Sequence, residues 1–341
     1  MSQAQVPYFS ICIPTHHGRR EVLETLFASI AREVPPELAP RIEICVSDNA
    51  SNDRTEEMLA AKAAELPFEV VYRRHADDRG GQRNILSVME LASGEYCWLV
   101  GSDDALAPGA LGRVLELLRG DPSLAGILLS RASYGPELSG DVLPLPTELL
   151  PLPPDRRTRY SRFEDVLVNC GLMQGDVSLN VIARERWLDT LADCGDDPVA
   201  RSPYWAHVLV LGWMAQRFPD WLWEPEVAIH SRGMNSSWIE PLGSVHDYHL
   251  TTTVDLSNVW ASLAGSRHDL YRALLRKWYH GCATPSQLTH YKLQARSGPE
   301  TDLRMLLGFG RHFWFMRKWW LRSVPVLLCP TPLLRRRQRQ S

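Results

Sequence analysis

Two adjacent carboxylates, Asp103 and Asp104, stand just after a short apolar run in the sequence. The run Cys97–Val100 is typical of a buried strand, and a Gly-Ser pair separates it from the two acids. Neighbouring carboxylates repel each other unless a positive charge lies beside them. A divalent cation supplies that charge, because hard metal ions prefer carboxylate oxygens. The pair therefore predicts a metal site. The alternative is the first turn of a helix, where acids are favoured, since a predicted helix begins nearby.

Polar clusters follow three earlier apolar runs in the same way. "THHGR" comes after Tyr8–Pro14, "SDNASND" after Arg41–Ser47 and "HADDRGG" after Phe68–Arg74. Helical patterns separate the runs, and this alternation predicts a Rossmann-like α/β fold with a mostly parallel sheet flanked by helices. Ligands bind at the carboxyl ends of the strands in such sheets, so the four loops are expected to converge on one cleft. The alternative is four ordinary polar loops.

The composition is that of an ordinary globular protein. The 341 residues are 45% hydrophobic and 23% charged, with a formal net charge of −3, which argues against a disordered chain. The seven cysteines form no C-x-x-C pair, so we expect reduced, buried thiols rather than disulfides or zinc ligands. The sequence starts without the pattern of a signal peptide, and no apolar run approaches roughly 20 residues. These features predict a cytoplasmic protein.

The chain is predicted to divide near residue 238. Residues 1–238 are expected to form the sheet domain, with a Pro-rich surface loop or lid at 136–154, and residues 239–341 a helical, basic region. From Arg311 to Ser341 the sequence has eight Arg or Lys and no acid. Five aromatic residues cluster within this stretch: Phe313, Trp314, Phe315, Trp319 and Trp320.

This basic, aromatic C-terminal segment is typical of a peripheral contact with the inner face of the cytoplasmic membrane. A docked helix followed by a disordered tail is one alternative. Nucleic-acid binding is another, because aromatic and basic residues also bind single strands. The predicted sheet domain gives nucleic-acid binding no support, so we expect no nucleic-acid partner.

Four stretches of the chain resemble successive blocks of the GT-A glycosyltransferases of family 2. They are "ICIPTHHGRREVLETLFASI", "ICVSDNASNDRTEEML", "GGQRNILSVMELASGEYCWLV" and "GSDDALAPGAL". Within that family the chain is most similar to abequosyltransferase-type enzymes of polysaccharide assembly. The resemblance is good over roughly the first 120 residues, weak in the middle third and nearly absent in the last third. It implies a GT-A fold and nucleotide-sugar binding.

The resemblance also implies roles for residues at the ends of the first three strands. Pro14, Thr15 and His16 would hold the base and ribose of the donor, and Asp48 would accept a hydrogen bond from the nucleobase. Asn49 would also bind the donor, although it and Ser51 are suited to cap the helix that follows. The donor phosphates would lie at Arg79 and Gly80, within the stretch "DDRGG".

The block "GSDD" corresponds to the D-x-D region of the family. Ser102 and Asp103 would contact the donor, and Asp103 and Asp104 would bind Mn²⁺ or Mg²⁺, which bridges carboxylate to diphosphate. The sequence departs from the pattern at Gly101, where many relatives have an aspartate, so which of the two acids binds the metal stays open.

The resemblance places an acidic general base about a hundred residues after this block. Asp196 and Asp197 are the candidates there, with His207 on the following helix as an alternative. The competing interpretations are a turn before Pro198 for the two acids and a packed helical residue for His207.

The stretch "HSRGMNSSW" resembles the loop that closes over the diphosphate. Its phosphate-binding candidates are Arg232, Asn235 and Ser237, and the alternative is an exposed polar turn.

Together these features predict a metal-dependent glycosyltransferase, and the family resemblance implies that it inverts the configuration at the anomeric carbon. It would move a sugar from a nucleotide-sugar donor to a hydroxyl of a lipid-linked saccharide, in the assembly of a surface polysaccharide of the O-antigen type. Two alternatives stay open: a catalytically inactive GT-A-like protein that binds nucleotide sugars, and a sugar-phosphate nucleotidyltransferase. A dehydrogenase is disfavoured, because no G-x-G-x-x-G follows the first strand.

Overall fold

The computed structural model describes residues 8–143, 147–233, 245–294 and 299–338. The chain divides into two compact units. We call the first the sheet unit, which comprises Met1–Pro144, Pro151–Arg201 and Ala206–Met234. We call the second the helical unit, which comprises Leu145–Leu150, Ser202–Trp205 and Asn235–Ser341.

Nine strands of the sheet unit form one sheet. They are β1 (Phe9–Thr15), β2 (Ile42–Asp48), β3 (Glu69–Arg74), β4 (Tyr96–Leu99), β5 (Ala105–Leu106), β6 (Gly126–Tyr134), β7 (Thr158–Tyr160), β8 (Asn180–Ala183) and β9 (Trp221–Arg232). The order across the sheet is β3-β2-β1-β4-β8-β6-β9-β5, and β7 pairs with β9. β1 to β4 run parallel to one another, so their carboxyl ends lie at one edge.

The sheet becomes mixed beyond β4. β8 is antiparallel to both β4 and β6, while β9 runs parallel to β6. The predicted α/β fold with flanking helices is confirmed, and the parallel part is the half that the four sequence blocks cover. β8 is only four residues long and directly follows a 3-10 turn at Val177–Leu179, which the side chain of Asp176 caps.

Eight helices belong to the sheet unit as the structure describes it. They are α1 (Arg20–Glu33), α2 (Thr55–Glu65), α3 (Gly81–Leu91), α4 (Ala110–Gly120), α5 (Phe163–Cys170), α6 (Arg184–Asp193), α7 (Pro198–Arg201) and α8 (Ala206–Arg217). α3 packs on β1 and β2, and α8 packs on α3 and α6. Helix α8 is apolar and almost fully buried, as expected for a helix that is covered on all sides.

The helical unit contains the remaining described helices. They are α9 (Val245–Ala264), α10 (His268–Cys282), α11 (Pro285–Gln294), α12 (Pro299–Phe313), a π-helical turn at Trp319–Ser323, α13 (Val324–Leu328) and α14 (Thr331–Gln338). Among the described residues, no helix is long and apolar enough to cross a bilayer.

The C-terminal aromatic cluster is split between core and surface. Phe313 and Trp319 are fully buried, so the expectation that they lie in a bilayer interface is corrected. Phe315 is half-buried, with the guanidinium groups of Arg272 and Arg276 near its ring. Trp314 and Trp320 remain exposed. Helical folding separates residues that are adjacent in sequence, because neighbours along a helix point in different directions.

Candidate functional site

The loops after β1, β2 and β3 are hydrogen-bonded to one another. The backbone N–H of Asn49 donates to the Thr15 carbonyl at 3.0 Å, and the Asn49 side-chain oxygen accepts from the Arg79 N–H at 2.8 Å. The Gly18 N–H donates to the Asp53 carboxylate at 2.7 Å. The predicted convergence of polar loops therefore holds for these three strands, and their ends form one continuous rim.

Asp48 lies at the end of β2, opposite Thr15 in the parallel ladder. Its side chain is fully buried. One carboxylate oxygen accepts from the Ser51 N–H at 2.9 Å, and the other accepts from the Tyr72 hydroxyl at 2.6 Å. Burial and this hydrogen bond to Asp48 raise the pKa of Tyr72. Asp48 thus organises the start of its own loop, and its contact with a nucleobase stays a prediction.

The end of β1 offers a buried hydroxyl to the rim. Pro14 lies half-buried and Thr15 is fully buried, and within the described residues Thr15 Oγ1 has no hydrogen-bond partner. Buried hydroxyls are nearly always hydrogen-bonded in native proteins, so an orphan at this edge suits a ligand. Burial, then the nearby Arg19 charge, lowers the pKa of His16, which favours the neutral ring.

Asp103 is paired with a cation of the protein itself. Arg19 Nη1 lies 2.8 Å from Asp103 Oδ2, and both side chains are largely covered, at 9% and 18% exposed. Arg19 Nε also lies 3.2 Å from His16 Nε2. This ion pair joins the loop after β1 to the loop after β4, so the fourth predicted loop reaches the same rim. It also supplies the positive charge that the adjacent acids require.

Asp104 has a different environment from its neighbour. Its carboxylate accepts from the Ser178 hydroxyl at 2.5 Å and from the Arg232 N–H at 3.0 Å. Burial, followed by the negative charges of Asp103 and Asp176, raises the pKa of Asp104 to about 7. Both oxygens of this carboxylate therefore have partners within the protein.

The donor set fits a divalent cation at Asp103 better than at Asp104. Asp103 keeps 18% exposure, whereas Asp104 is buried with both oxygens bonded. A Cβ at Gly101 would lie 3.4 Å from an oxygen of each carboxylate, so a side chain there would narrow the space beside both acids. Among the described residues no three His, Cys, Asp or Glu side chains cluster as metal ligands. Mg²⁺ in phosphate sites needs only one or two carboxylates, because phosphates and waters complete its shell.

The loop after β3 is held by hydrogen bonds to Asp78 and has a glycine at the start of α3. Gly80 has a φ of +81°, a conformation that favours glycine, and it lies at the N-terminal cap of α3. The carboxylate of Asp78 accepts from the Gly80 N–H at 2.8 Å and from the Asn49 amide. Ser102 is buried beside this rim at the β4 end. Phosphate contacts of Arg79, Gly80 and Ser102 stay predictions.

Asp196 and Asp197 are exposed and engaged in ion pairs. Asp197 Oδ2 lies 2.6 Å from Arg83 Nη2 at the start of α3, while Asp196 Oδ2 lies 2.8 Å from Arg201 Nη1. Asp197 also caps α7, since the Val199 N–H donates to it at 3.0 Å. The hydrogen bond from Arg83 lowers the pKa of Asp197. Asp197 shares an ion pair with the helix that follows the phosphate loop, whereas Asp196 lies in the predicted turn.

His207 is a packed residue in this structure. It is 1% exposed, its Nδ1 lies 2.9 Å from Gln82 Oε1, and its Nε2 lies 3.3 Å from the Gly175 carbonyl. Burial lowers its pKa to about 4. A neutral imidazole held this way is closed to an acceptor hydroxyl, so the geometry opposes a role as general base and favours the packed alternative.

The predicted diphosphate loop is described only in part. His230 and Arg232 end β9, and Arg232 Nε donates to the Asp103 carbonyl at 3.0 Å. Arg232 is therefore beside the two acids, rather than on an exposed turn. Asn235 and Ser237 lie outside the described residues.

Sequence reasoning missed several residues that build this rim. Arg19 pairs with Asp103, Ser178 bonds Asp104, Arg131 pairs with Asp176, and Asn84 donates to the Thr15 carbonyl. No local pattern marks Ser178 or Asp176, because the partner aspartate Asp104 lies 74 residues from Ser178 along the chain. Arg19 stands in the quoted "THHGR", so its basic charge beside the first strand was the available signal.

Comparisons with known proteins agree with this geometry. Residues 10–175 match the model of the family described as Glycosyl transferase family 2. Abequosyltransferase RfbV of Salmonella typhimurium is 48% identical over 102 residues, a stretch that spans 30% of this chain and 30% of that relative.

Two solved structures resemble this chain as a whole. TarS of S. aureus, residues 1–349 in complex with UDP-GlcNAc, has a TM-score of 0.58 at 11% identity, covering 98% of this chain and 92% of that one. The mannosyltransferase PcManGT from Pyrobaculum calidifontis, in complex with GDP-Man and Mn²⁺, has a TM-score of 0.54 at 16% identity, covering 95% and 86%. These similarities show the fold. The sequence resemblance is confirmed: the chain contains a Glycosyl transferase family 2 domain, which the family model matches over residues 10–175, and its fold is that of GT-A glycosyltransferases.

Proposed function

We propose that this protein transfers a sugar from a nucleotide-sugar donor to a hydroxyl of a saccharide, with inversion at the anomeric carbon. The observation that carries the proposal is the hydrogen-bonded rim at the ends of β1 to β4, within the family 2 domain, where Asp103 and Asp104 lie. Inversion comes from the family, and the two relatives with bound nucleotide sugars support a donor of that class.

Two groups of rim residues bind different parts of the donor. Pro14, Thr15, His16, Asp48 and Asn49 receive the nucleoside, and the unpartnered Thr15 hydroxyl supplies a hydrogen bond there. Arg79, Gly80, Ser102 and Arg232, with Asn235 and Ser237, are assigned to the diphosphate. The guanidinium of Arg232 already lies within hydrogen-bonding distance of the Asp103 backbone, so its charge lies near the departing phosphates.

Asp103 is our candidate ligand for Mn²⁺ or Mg²⁺, with Asp104 beside it. A bound ion would act as a Lewis acid that neutralises the leaving diphosphate. The protein's own contribution is to hold Asp103 at the rim through Arg19, and to keep Asp104 fixed through Ser178 and Arg232.

The acceptor is deprotonated by an exposed carboxylate near α7. Asp197, or Asp196 beside it, takes the proton of the acceptor hydroxyl as its oxygen bonds to the anomeric carbon. The bond from that carbon to the donor phosphate breaks, and the nucleoside diphosphate leaves with the electron pair. Release of Asp197 from Arg83 would raise the pKa of the carboxylate and make it a better base.

The acceptor that we propose is a lipid-linked saccharide in the assembly of a surface polysaccharide of the O-antigen type. The similarity to an abequosyltransferase supports this assignment, although it spans 30% of that relative. We place the reaction at the cytoplasmic face of the membrane, where such carriers are exposed to soluble donors.

The test is a screen of nucleoside diphosphate sugars, with and without Mn²⁺, read by thermal unfolding. A donor at about a hundredfold excess over its Kd should stabilise the protein by about 2.7 kcal/mol. Release of nucleoside diphosphate in the presence of an acceptor is then measured with and without a chelator.

The outcomes distinguish the remaining alternatives. Undiminished turnover in excess chelator would remove the metal from the mechanism. Donor binding without turnover on any saccharide would favour an inactive binding protein. Formation of a nucleotide sugar from a nucleoside triphosphate and a sugar phosphate would favour a nucleotidyltransferase.

A further inference from the structure

Three exposed apolar side chains line one side of α12. Leu303, Leu307 and Trp314 are 53%, 65% and 60% exposed. The Trp314 N–H donates to the Gly310 carbonyl at 3.0 Å, so helical geometry continues to this residue. Positions i, i+4 and i+11 fall on one face of a helix. These side chains therefore form a stripe rather than scattered surface residues.

The stripe continues onto the following turn. Trp320 Nε1 donates to the Trp314 carbonyl at 2.7 Å, which holds the two tryptophans close together. Trp320 is 51% exposed and Leu321 is 67% exposed. We call these five residues, Leu303, Leu307, Trp314, Trp320 and Leu321, the apolar ridge.

The ridge is supported from below by a packed aromatic core. The ring centroids of Phe309 and Phe313 lie 6.2 Å apart, and Trp319 lies 6.2 Å from the first and 5.9 Å from the second. All three are fully buried. The backbone that carries the ridge is thus fixed while the ridge itself faces outward, and exposed apolar patches of this kind mark interaction sites.

The charged residues that follow Leu303 in the sequence are all basic. The exposed Glu300 and the Lys292-paired Asp302 precede Leu303 on α12, and Asp247 pairs with Arg304 on the same helix. Arg311, Arg317, Lys318 and Arg322 are exposed, and the sequence has no Asp or Glu after Asp302. A second copy of the chain is a poor occupant, because a two-fold interface would bring the same cations together from both copies. Headgroups of anionic lipids complement this charge, and their acyl chains complement the ridge.

We propose that the apolar ridge inserts into the interface of an anionic lipid bilayer, with the surrounding Arg and Lys side chains on the headgroups. Exposed tryptophans suit this depth because the ring is apolar and its N–H is polar. The inference goes beyond the proposed function, since binding to a bilayer requires neither a donor nor turnover.

The test is co-sedimentation of the full chain with vesicles of phosphatidylcholine, with and without about one-third phosphatidylglycerol. We expect binding to the anionic vesicles and little to the neutral ones. Leu307→Glu should lower the partition coefficient at least about tenfold, because a carboxylate replaces an exposed leucine that would insert into the bilayer, and the anionic surface repels it. Trp314→Ser should also lower the partition coefficient.

The matched control is Leu152→Glu, which places the same charge at a similarly exposed leucine, 58%, in the sheet unit. It should bind vesicles as the parent chain does, and thermal unfolding should show that all the variants are folded. Equal vesicle binding by the Leu307 and Leu152 variants would overturn the proposal. So would failure of the parent chain to bind anionic vesicles, or a dimer in solution that Leu307→Glu dissociates.

Discussion

At the scale of single residues, the two adjacent acids differ because their surroundings differ. Asp103 pairs with Arg19 at the rim, whereas Asp104 is buried against Ser178 and the Arg232 backbone. Burial beside other negative charges raises the pKa of Asp104 and favours its protonated form. Neighbouring positions in the sequence can therefore carry a metal ligand and a structural carboxyl group.

Arg19→Gln should tighten binding of Mn²⁺ to the protein without nucleotide. The substitution removes the guanidinium that competes with a metal ion for Asp103 Oδ2, so a charge-assisted hydrogen bond of about 1.5–3 kcal/mol no longer has to break. We expect an affinity gain of about tenfold or more, measured by the Mn²⁺ electron paramagnetic resonance signal. Arg20→Gln is the control, because Arg20 is exposed and pairs with Glu24 instead. Unchanged Mn²⁺ affinity in the Arg19 variant would argue against competition at Asp103.

Asp103→Asn should lower turnover at least about 100-fold and abolish Mn²⁺ binding, because the neutral amide is a poor ligand for a hard cation. Asp141→Asn, at an exposed acid, should leave both quantities unchanged. Turnover and Mn²⁺ titration are measured on the same preparations. Wild-type turnover by the Asp103 variant would show that another residue binds the metal.

At the scale of elements, buried polar side chains hold helices in register behind the rim. His207 on α8 contacts Gln82 near the start of α3 and the carbonyl of Gly175. Gly175 directly precedes Asp176, which pairs with Arg131 and caps the turn that carries Ser178. His207 thus connects the start of α3 with the turn that carries the partner of Asp104, and this packing favours a positioning role over a role as base.

His207 should make the fold less stable in mild acid. Its pKa is lowered to about 4 in the folded chain, so between pH 6.5 and 4 the unfolded chain binds the proton that the folded chain excludes. The stabilisation is complete above pH 6.5 and is lost as the pH falls toward 4. Comparing pH 7.5 with pH 5.5, the loss is about 1 kcal/mol.

The measurement is urea unfolding of the parent chain and of His207→Gln at both pH values. The glutamine variant lacks the titrating ring, so its free energy of unfolding should fall less between pH 7.5 and pH 5.5 than that of the parent chain. The difference between the two proteins should equal the loss assigned to His207. Parallel pH profiles for the two proteins would contradict the assigned pKa.

Lys292 joins three elements of the helical unit from a fully buried position. Its ammonium lies 2.7 Å from the Asp302 carboxylate on α12 and donates to the carbonyls of Leu327 and Cys329 at 2.8 Å. Lys292→Met should destabilise the protein by about 3–5 kcal/mol, because it leaves a largely covered carboxylate without its cation. Lys62→Met, at an exposed pair with Glu65, should change stability by less than about 1 kcal/mol. Both values come from urea unfolding, and similar values for the two variants would contradict the role of Lys292.

At the scale of the whole molecule, the sequence separates charge of opposite sign. Residues 303–341 carry nine Lys or Arg and no acid, whereas residues 1–302 carry 28 Lys or Arg and all 40 acids, a net charge of −12. An anionic surface therefore attracts one end of the chain and repels the rest. This asymmetry favours the C-terminal segment as the contact with anionic lipid.

Vesicle binding should weaken as salt is raised from about 0.1 M to about 1 M, since the Debye length falls from about 10 Å to about 3 Å. The apolar contribution of the ridge is not screened, so Leu307→Glu should still lower the residual binding in high salt. Sedimentation across a salt series measures both effects, with neutral vesicles as the control. Salt-independent binding to anionic vesicles would show that the basic residues play no part.

The sequence alone determined the parallel half of the sheet and the edge that carries the candidate site. Apolar runs and helical patterns are local, so β1 to β4, their helices and the loops with Asp48, Arg79 and Asp103 followed from spacing. The last strand, β9, was not predicted, because Pro225 interrupts its pattern at a bulge where the pairing with β6 shifts. The antiparallel direction of β8 also has no local signature.

Only the tertiary structure decided which charges meet. Arg19 and Asp103 are 84 residues apart and Ser178 and Asp104 are 74 residues apart, so their pairing depends on where the sheet brings the loops. It also decided that Phe313 and Trp319 are buried while Trp314 and Trp320 are exposed. Composition fixes how much apolar and basic surface a segment carries, but packing against the rest of the unit determines which side of each helix faces solvent.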